Sequence, residues 1–369
     1  IGHSIDAHFA ENSLNKFYTK ALEELSLIPI NQAKIKHLDF KEGSKLKFTA
    51  EFEISPKIGL PKFEKKFKIQ TNRYIVSEND VNNAIREIRE KHSKLEIISD
   101  GAKNGHFIHG DFQEIDQKDN PLEGRNLKNQ YIKLGEAAFS GKAEKPFIGA
   151  KSKDMIKTTV KYDKDKEVSY LVSVHKVEEQ ILPELNDDFV KLVDNSLSNV
   201  KELLDKTKKQ IQESLDKSHK NEIQNEVIGY FVKNSRLDAP DSMVENYLTY
   251  VVNDMIEKNN KKEKINEEKI KETYRDQAIN SVKWYLIKDK LIDLAQLDVS
   301  DDSIQEKIKE LISENRDKKN QIKKFYEQSS NKEKLFENML AEKLFDYLEK
   351  FVINKVVEKN TDELKKGKK

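Results

Sequence analysis

The stretch VHKVEEQILPELNDDFVKLV, residues 174–193, changes periodicity in its middle, and that change limits the folds open to the chain. In its first half Val174 and Val177 are apolar with charged and polar neighbours between, the pattern of a half-buried strand. Leu182-Pro183-Glu184-Leu185 interrupts it. Asn186, Asp187 and Asp188 then precede Phe189, Val190, Leu192 and Val193, an N-cap cluster opening a helix. Before this point the chain holds short alternating runs and most of its glycines. After it the chain reads as helical almost to its end.

The rest of the sequence fits around that junction. Residues 5–27 predict a helix, with Ile5, Phe9, Leu14, Phe17, Ala21, Leu22 and Leu25 on one face, stopped at Pro29. Residues 45–55 alternate through Leu46, Phe48, Ala50, Phe52 and Ile54, a strand with one wet face. The following PKIGLPKFEK, with two prolines and a glycine in six residues, reads as an extended linker. Ser77 caps a helix marked by Val81, Ile85 and Ile88. HFIHGDF, NQYIKLG, MIKTTVKY and SYLVSVHKV are short strands of a small β unit over residues 105–177. Beyond Asn186, Asp238 is suited to cap a helix with Pro240 in its first turn. Ile287, Leu291 and Leu294 form one apolar stripe, and Phe336, Leu340, Leu344, Tyr347 and Phe351 another, both fit for helix–helix packing. KNNKKEKINEEK reads as a solvated loop, and DELKKGKK at the end as a disordered tail.

Composition narrows the chemistry. In 369 residues, 36% are charged and 36% hydrophobic, so the chain is very soluble and builds thin cores. Its 67 basic and 66 acidic residues leave a net charge of +1, which gives no global field toward nucleic acid or membrane. No sequence-specific nucleic-acid binding and no membrane partner are expected. No apolar run reaches the length of a membrane span. The chain has no cysteine, which rules out disulfides, thiolate chemistry and cysteine-built zinc sites. GEAAFSGKA (135–143) departs from a phosphate loop, with five residues between the glycines where the motif needs four and Ala143 where a hydroxyl would meet magnesium. His106 and His109 lack a third ligand at metal spacing. Glu178-Glu179 and Asp187-Asp188 read as solvated charges or caps rather than an acid–base pair. No metal or cofactor is expected. The chain starts at Ile1 and carries no signal peptide, which reads as a cytoplasmic protein given as a fragment.

In this order the segments resemble bacterial trigger factor, the ribosome-associated chaperone. FTAEFEISPKIGLPKFEKKFKI resembles that family's passage from the ribosome-binding domain into its linker arm. GDFQEID with LEGRNLKNQYIKLG resembles the first strands of its FKBP-type prolyl isomerase domain. VHKVEEQILPELNDDFVKLV resembles the join to the helical C-terminal domain. LDAPDSMVENYL and YRDQAINSVKWYLIKDKLIDLAQLDVSDDSI resemble two of its helical segments. The resemblance implies an α+β multidomain chain, elongated, with four parts. Residues 1–55 would be the C-terminal part of an α/β ribosome-binding domain, and 56–95 a linker arm packed on the helical body. Residues 96–177 would be a small, degenerate FKBP-like antiparallel β insert, and 178–369 a large all-α substrate-binding chaperone domain.

Two departures bear on function. The family's ribosome-docking loop, Gly-Phe-Arg-x-Gly-Lys-x-Pro, does not occur in this sequence. The isomerase insert is also altered. FKBP-type sites are aromatic-lined pockets that hold a proline and twist its preceding peptide bond, against a barrier of roughly 18–20 kcal/mol, by offering a dry site suited to the twisted state. By resemblance Phe112, Leu122, Tyr131 and Phe139 fall at pocket positions. Leu122 stands where an aromatic is usual, Ser140 replaces a proline, and Lys142 replaces the aromatic floor, where burying it would be costly. Phe147 substitutes after a one-residue shift, and KYDKDKEV is a shortened flap. Weak or lost isomerase activity is expected. Singly, Phe112, Tyr131 and Phe139 also read as core residues of a small barrel. Trp284 and Tyr285, adjacent on a helix, point in different directions, so at least one can meet a client polypeptide.

The partners implied are unfolded and nascent polypeptides and, by resemblance, the ribosome. Three functions stand: an ATP-independent holding chaperone, an enzyme acting mainly as a prolyl isomerase, and a structural helical interaction protein. A proline-peptide assay separates the second from the first. The third leaves the β insert and its Pro-Glu-Leu junction unexplained.

Overall fold

The computed structural model describes residues 2–39, 45, 47–163, 166–258 and 266–363, without side chains at 2–12, 162, 163 and 166. In chain order its elements begin with α1 (Gly2–Leu25), β1 (Lys34–Asp39), β2 (Lys47–Glu51), β3 (Phe67–Ile75) and α2 (Glu78–Lys91). The strands β4 (Lys94–Ile97), β5 (Phe107–Ile115), β6 (Pro121–Lys133), β7 (Met155–Asp163) and β8 (Lys166–Ile181) follow. Then come α3 (Asp187–Val193), α4 (Val200–Asn234), α5 (Asp241–Lys258), α6 (Glu267–Ala295), α7 (Asp301–Glu314), α8 (Lys319–Glu327), α9 (Ser329–Glu349) and β9 (Val352–Asn360). The chain divides into two compact units, residues 1–72 with 218–357 and residues 73–217 with 358–369.

The second unit contains the junction. β4, β8, β5 and β6 are neighbours in one sheet, and β7 also pairs with β8. On β8, Tyr170, Val172, Val174 and Val177 are buried, following the alternation until a register shift opposite His109 and Gly110. The strand stops at Ile181. The Asn186 side chain accepts the Phe189 amide at 2.9 Å and so starts α3, whose Phe189 and Val190 are buried. Ser77 and Asp80 form a reciprocal capping box at the start of α2. Val76, just after β3, and Val81 and Ile85 of α2 pack with Val190 and Leu203.

In the first unit the segment after β2 is pinned rather than a free linker. Gly59 and Arg236 exchange backbone hydrogen bonds of 3.0 and 2.8 Å. Phe63, Phe67 and Ile69 enter a core with Phe231, Ile287, Leu291, Leu344 and Leu348. A hydrophobic segment at and before β3 thus packs on helical partners.

Several expectations are corrected. On α1, Phe17, Ala21 and Leu25 are exposed, while Leu14, Tyr18 and Leu22, spaced four apart, face inward, with Tyr18 edge-on to Phe52 at 5.7 Å. The side chains of Ile5 and Phe9 lie outside the described residues, as do Leu46, part of KNNKKEKINEEK, the turn of KYDKDKEV and residues 364–369 of the tail. Leu294 is 48% exposed, because Ile292 and Leu297 take the core contact at that end of α6. Asp238 does not cap α5. The Pro240 carbonyl accepts from Met243 and Val244 at 3.1 Å, so Pro240 precedes the first turn. The Glu53 carboxylate takes the Ser242 amide at 3.0 Å and its hydroxyl. The C-terminal part is not all-α: β9, rich in β-branched Val352, Ile353, Val356 and Val357, pairs with β3.

Candidate functional site

Two regions hold the residues singled out by sequence. In the sheet unit, β5 carries Phe112, two short 3-10 turns carry Phe139 and Phe147, and β8 carries Tyr170. Their rings meet edge to face: Phe112 to Phe139 at 5.6 Å, Phe139 to Phe147 at 6.2 Å, and Phe112 to Tyr170 at 6.0 Å between centroids. Phe147 is 0% and Phe112 2% exposed, inside a core shared with Ile108, Leu134, Val160 and Val172. The cluster is packed on itself.

Of the four residues at pocket positions, the structure brings together Phe112 and Phe139 only. Leu122 is half-buried on β6, and its carbonyl accepts from the Gln113 side chain at 2.8 Å. Tyr131 is 51% exposed and stacks on His109 at 4.4 Å, with the Lys176 ammonium 5.4 Å from its ring centre. Sequence reasoning missed Tyr170, although its alternation with Val172 and Val174 marks it as inward-facing. Lys142 is exposed rather than buried in a pocket floor, so the expected desolvation cost does not arise. It borders a cleft of about 660 Å³ together with Lys157, Lys161 and Glu167.

Charge around Tyr131 is locally arranged. His175 Nε2 lies 3.3 Å from Asp111 Oδ2. The Asn129 amide, donating to Asp111 at 2.8 Å, and then His175 hold that carboxyl below the usual range. Lys176 donates to the buried Glu178 at 2.7 Å, and this partner, with Tyr131, raises the lysine's pKa. Among the described residues no group of three or more His, Asp or Glu is placed to hold a metal ion, and no helix is long and apolar enough to cross a membrane.

The second region lies in the helical unit. A cleft of about 920 Å³ opens between α4 and α6, lined by Ile228, Gly229 and Val232 on one side and Trp284 on the other. The half-buried Trp284 stacks on Phe345 of α9 at 6.1 Å. Tyr285, one residue on and about 100° further round the helix, is 51% exposed, with Lys288 5.7 Å from its ring centre. The two aromatics do point apart, and the tryptophan is the one that faces the cleft.

The family model described as bacterial trigger factor protein matches residues 1–88, and the model of the bacterial trigger factor C-terminus matches residues 199–350, together well over half of the chain. Among curated proteins the chain is similar to trigger factor of Geobacter metallireducens, 24% identical over 364 residues, covering 93% of this chain and 83% of the relative. It is also similar to trigger factor of Geotalea uraniireducens, 25% identical over 359 residues, covering 92% and 81%. Trigger factor of Bacillus mycoides is 23% identical over 318 residues, covering 81% and 74%. A solved structure of a trigger factor chaperone aligns with 91% of this chain and 82% of its own at 18% identity and a TM-score of 0.47. The chain belongs to the trigger factor family.

Proposed function

We propose that this chain is an ATP-independent holding chaperone for unfolded and nascent polypeptides. The observation that carries the reading is the surface of its helical unit. Trp284 lines an open cleft, and Tyr250, Tyr285 and Phe325 stand more than half exposed amid a strongly charged surface. Scattered apolar contacts can engage an unfolded segment, while surrounding charge discourages self-association. Release then comes from weak affinity and competition with folding. Family membership supports nascent chains at the ribosome as clients and the cytoplasm as the place of action. Residues 1–55, 56–95, 96–177 and 178–369 would act as ribosome-binding part, arm, isomerase-like insert and client-binding body. The closed ring cluster around Phe112 and Phe147 supports weak or lost isomerase activity.

The test is dilution of a denatured, proline-independent client into buffer without nucleotide. Suppression of aggregation at near-stoichiometric chain supports holding, and aggregation at the uncatalysed rate rejects it. A protease-coupled proline-peptide assay in parallel should give a rate close to background.

A further inference from the structure

We infer that the cleft between α4 and α6 is a subsite for one kind of client segment: an extended peptide with a large apolar side chain flanked by carboxylates. The inference rests on the holding function proposed above and gives it a chemical preference. The charged residues lining the cleft are Lys233 and Lys283, with no carboxylate among the lining side chains. Neither lysine is held in an ion pair among the described residues. In a chain whose acidic and basic residues nearly balance, a cleft with two unpaired cations selects for anionic flanks.

The uncharged lining fits a peptide backbone. Asn225, Gln277 and Asn280 present side-chain amides to the cleft, and these make no hydrogen bond within the chain among the described residues. Each amide offers both a donor and an acceptor, which is what an extended backbone requires of its partner. Trp284, with Ile228 and Val232, supplies an apolar wall with room for a side chain against the indole.

Gly229 is the second, independent observation. It sits inside the 35-residue helix α4, where glycine is the poorest helix former after proline. A Cβ built there would meet nothing within 4 Å, so no neighbour in the chain requires its absence. Its effect is to leave the floor of the cleft open, where a ligand backbone can approach α4 closely.

Trp284 is the chain's single tryptophan, so intrinsic fluorescence reports on the cleft. The probe is a heptapeptide with a Leu-Phe-Leu centre flanked by aspartate and glutamate, titrated into the full chain beside a lysine-flanked twin. The expected result is a saturable change in Trp284 emission, with the acidic peptide binding at least five-fold tighter at low salt and the gap closing at high salt. Lys233→Glu with Lys283→Glu should reverse the order. Gly229→Leu should weaken the acidic peptide at least ten-fold while leaving far-UV dichroism and the thermal midpoint unchanged or raised, and Gly229→Ala should change binding less. Equal or tighter binding of the lysine-flanked peptide, no emission change, or unaltered affinity in Gly229→Leu would overturn the inference. Aggregation suppression by the same preparations separates the two claims. If suppression persists while the peptide pattern fails, the cleft inference alone falls. If the pattern holds without suppression, the cleft stands as a peptide site and the holding function falls.

Discussion

Phe147→Ala tests whether the aromatic cluster of the sheet unit is packed core or pocket wall. The side chain is fully buried, meets Phe139 edge to face at 6.2 Å, and shares a core with Phe112, Leu134, Val160 and Val172. Truncating a phenylalanine so placed removes its transfer free energy and leaves a cavity, together about 3–5 kcal/mol. A fold of this size holds about 5–15 kcal/mol in total, so the sheet should survive with little margin. Because the chain has two units, a single unfolding midpoint is not a clean readout. Amide hydrogen exchange read strand by strand is. Amides of β5, β7 and β8 that exchange only through opening of the sheet should speed up by about a thousand-fold, from roughly ten-fold per 1.4 kcal/mol. Amides in the core of α6 and α9 should not change. Acceleration below about ten-fold, with a gain or loss of proline-peptide binding instead, would mean that Phe147 lines an open pocket and that the packed-cluster reasoning is wrong.

Three further outcomes follow from individual contacts. Glu53→Gln weakens a charge-assisted cap on the first turn of α5 and should cost about 1–2 kcal/mol, read as faster exchange at the start of that helix. Asn186→Ala removes the cap of α3 and should cost about 1 kcal/mol, seen as fraying of residues 187–193. Asp289, exposed on α6, has its folded pKa raised, chiefly by partial desolvation and then by Glu337 and Asp293, against the pull of Lys288. At neutral pH its ionised form is disfavoured in the fold, so Asp289→Asn should raise the thermal midpoint of the helical unit. That advantage should shrink as pH falls through the raised folded pKa toward the unfolded value near 3.9, and a gain constant from pH 7 to pH 4 would count against the assignment.

Local signals in this sequence are readable where one short-range rule decides. The Asn186 cap, the Ser77 cap and the alternation of Val172, Val174 and the residues before them translate directly into structure. What escaped depends on partners distant in sequence. β9 has strand composition but follows a long run of helices, and β3, about 280 residues earlier, is what pairs with it. The cap on α5 comes from Glu53, 189 residues away, so Asp238 looked the better candidate. The candidate sites divide in the same way. Trp284 was visible as an aromatic on a helix, but the cleft beside it depends on α4 lying next to α6 with a glycine at the contact. Tyr131 and Phe112 sit on paired strands and read alike by alternation. Tyr131 pairs with His109, on the opposite face of β5 from Ile108 and Phe112, so cross-strand register leaves it exposed while Phe112 enters the core.

The most direct test of the central claim is equilibrium binding of the full chain to a permanently unfolded polypeptide, followed by fluorescence anisotropy of the labelled client, with its native form as control and with and without ATP. A holding chaperone of this kind binds the unfolded form with micromolar affinity, ignores the native form, and gives the same curve with nucleotide. No binding to the unfolded form, equal binding to the native one, or a curve that moves with ATP would contradict it.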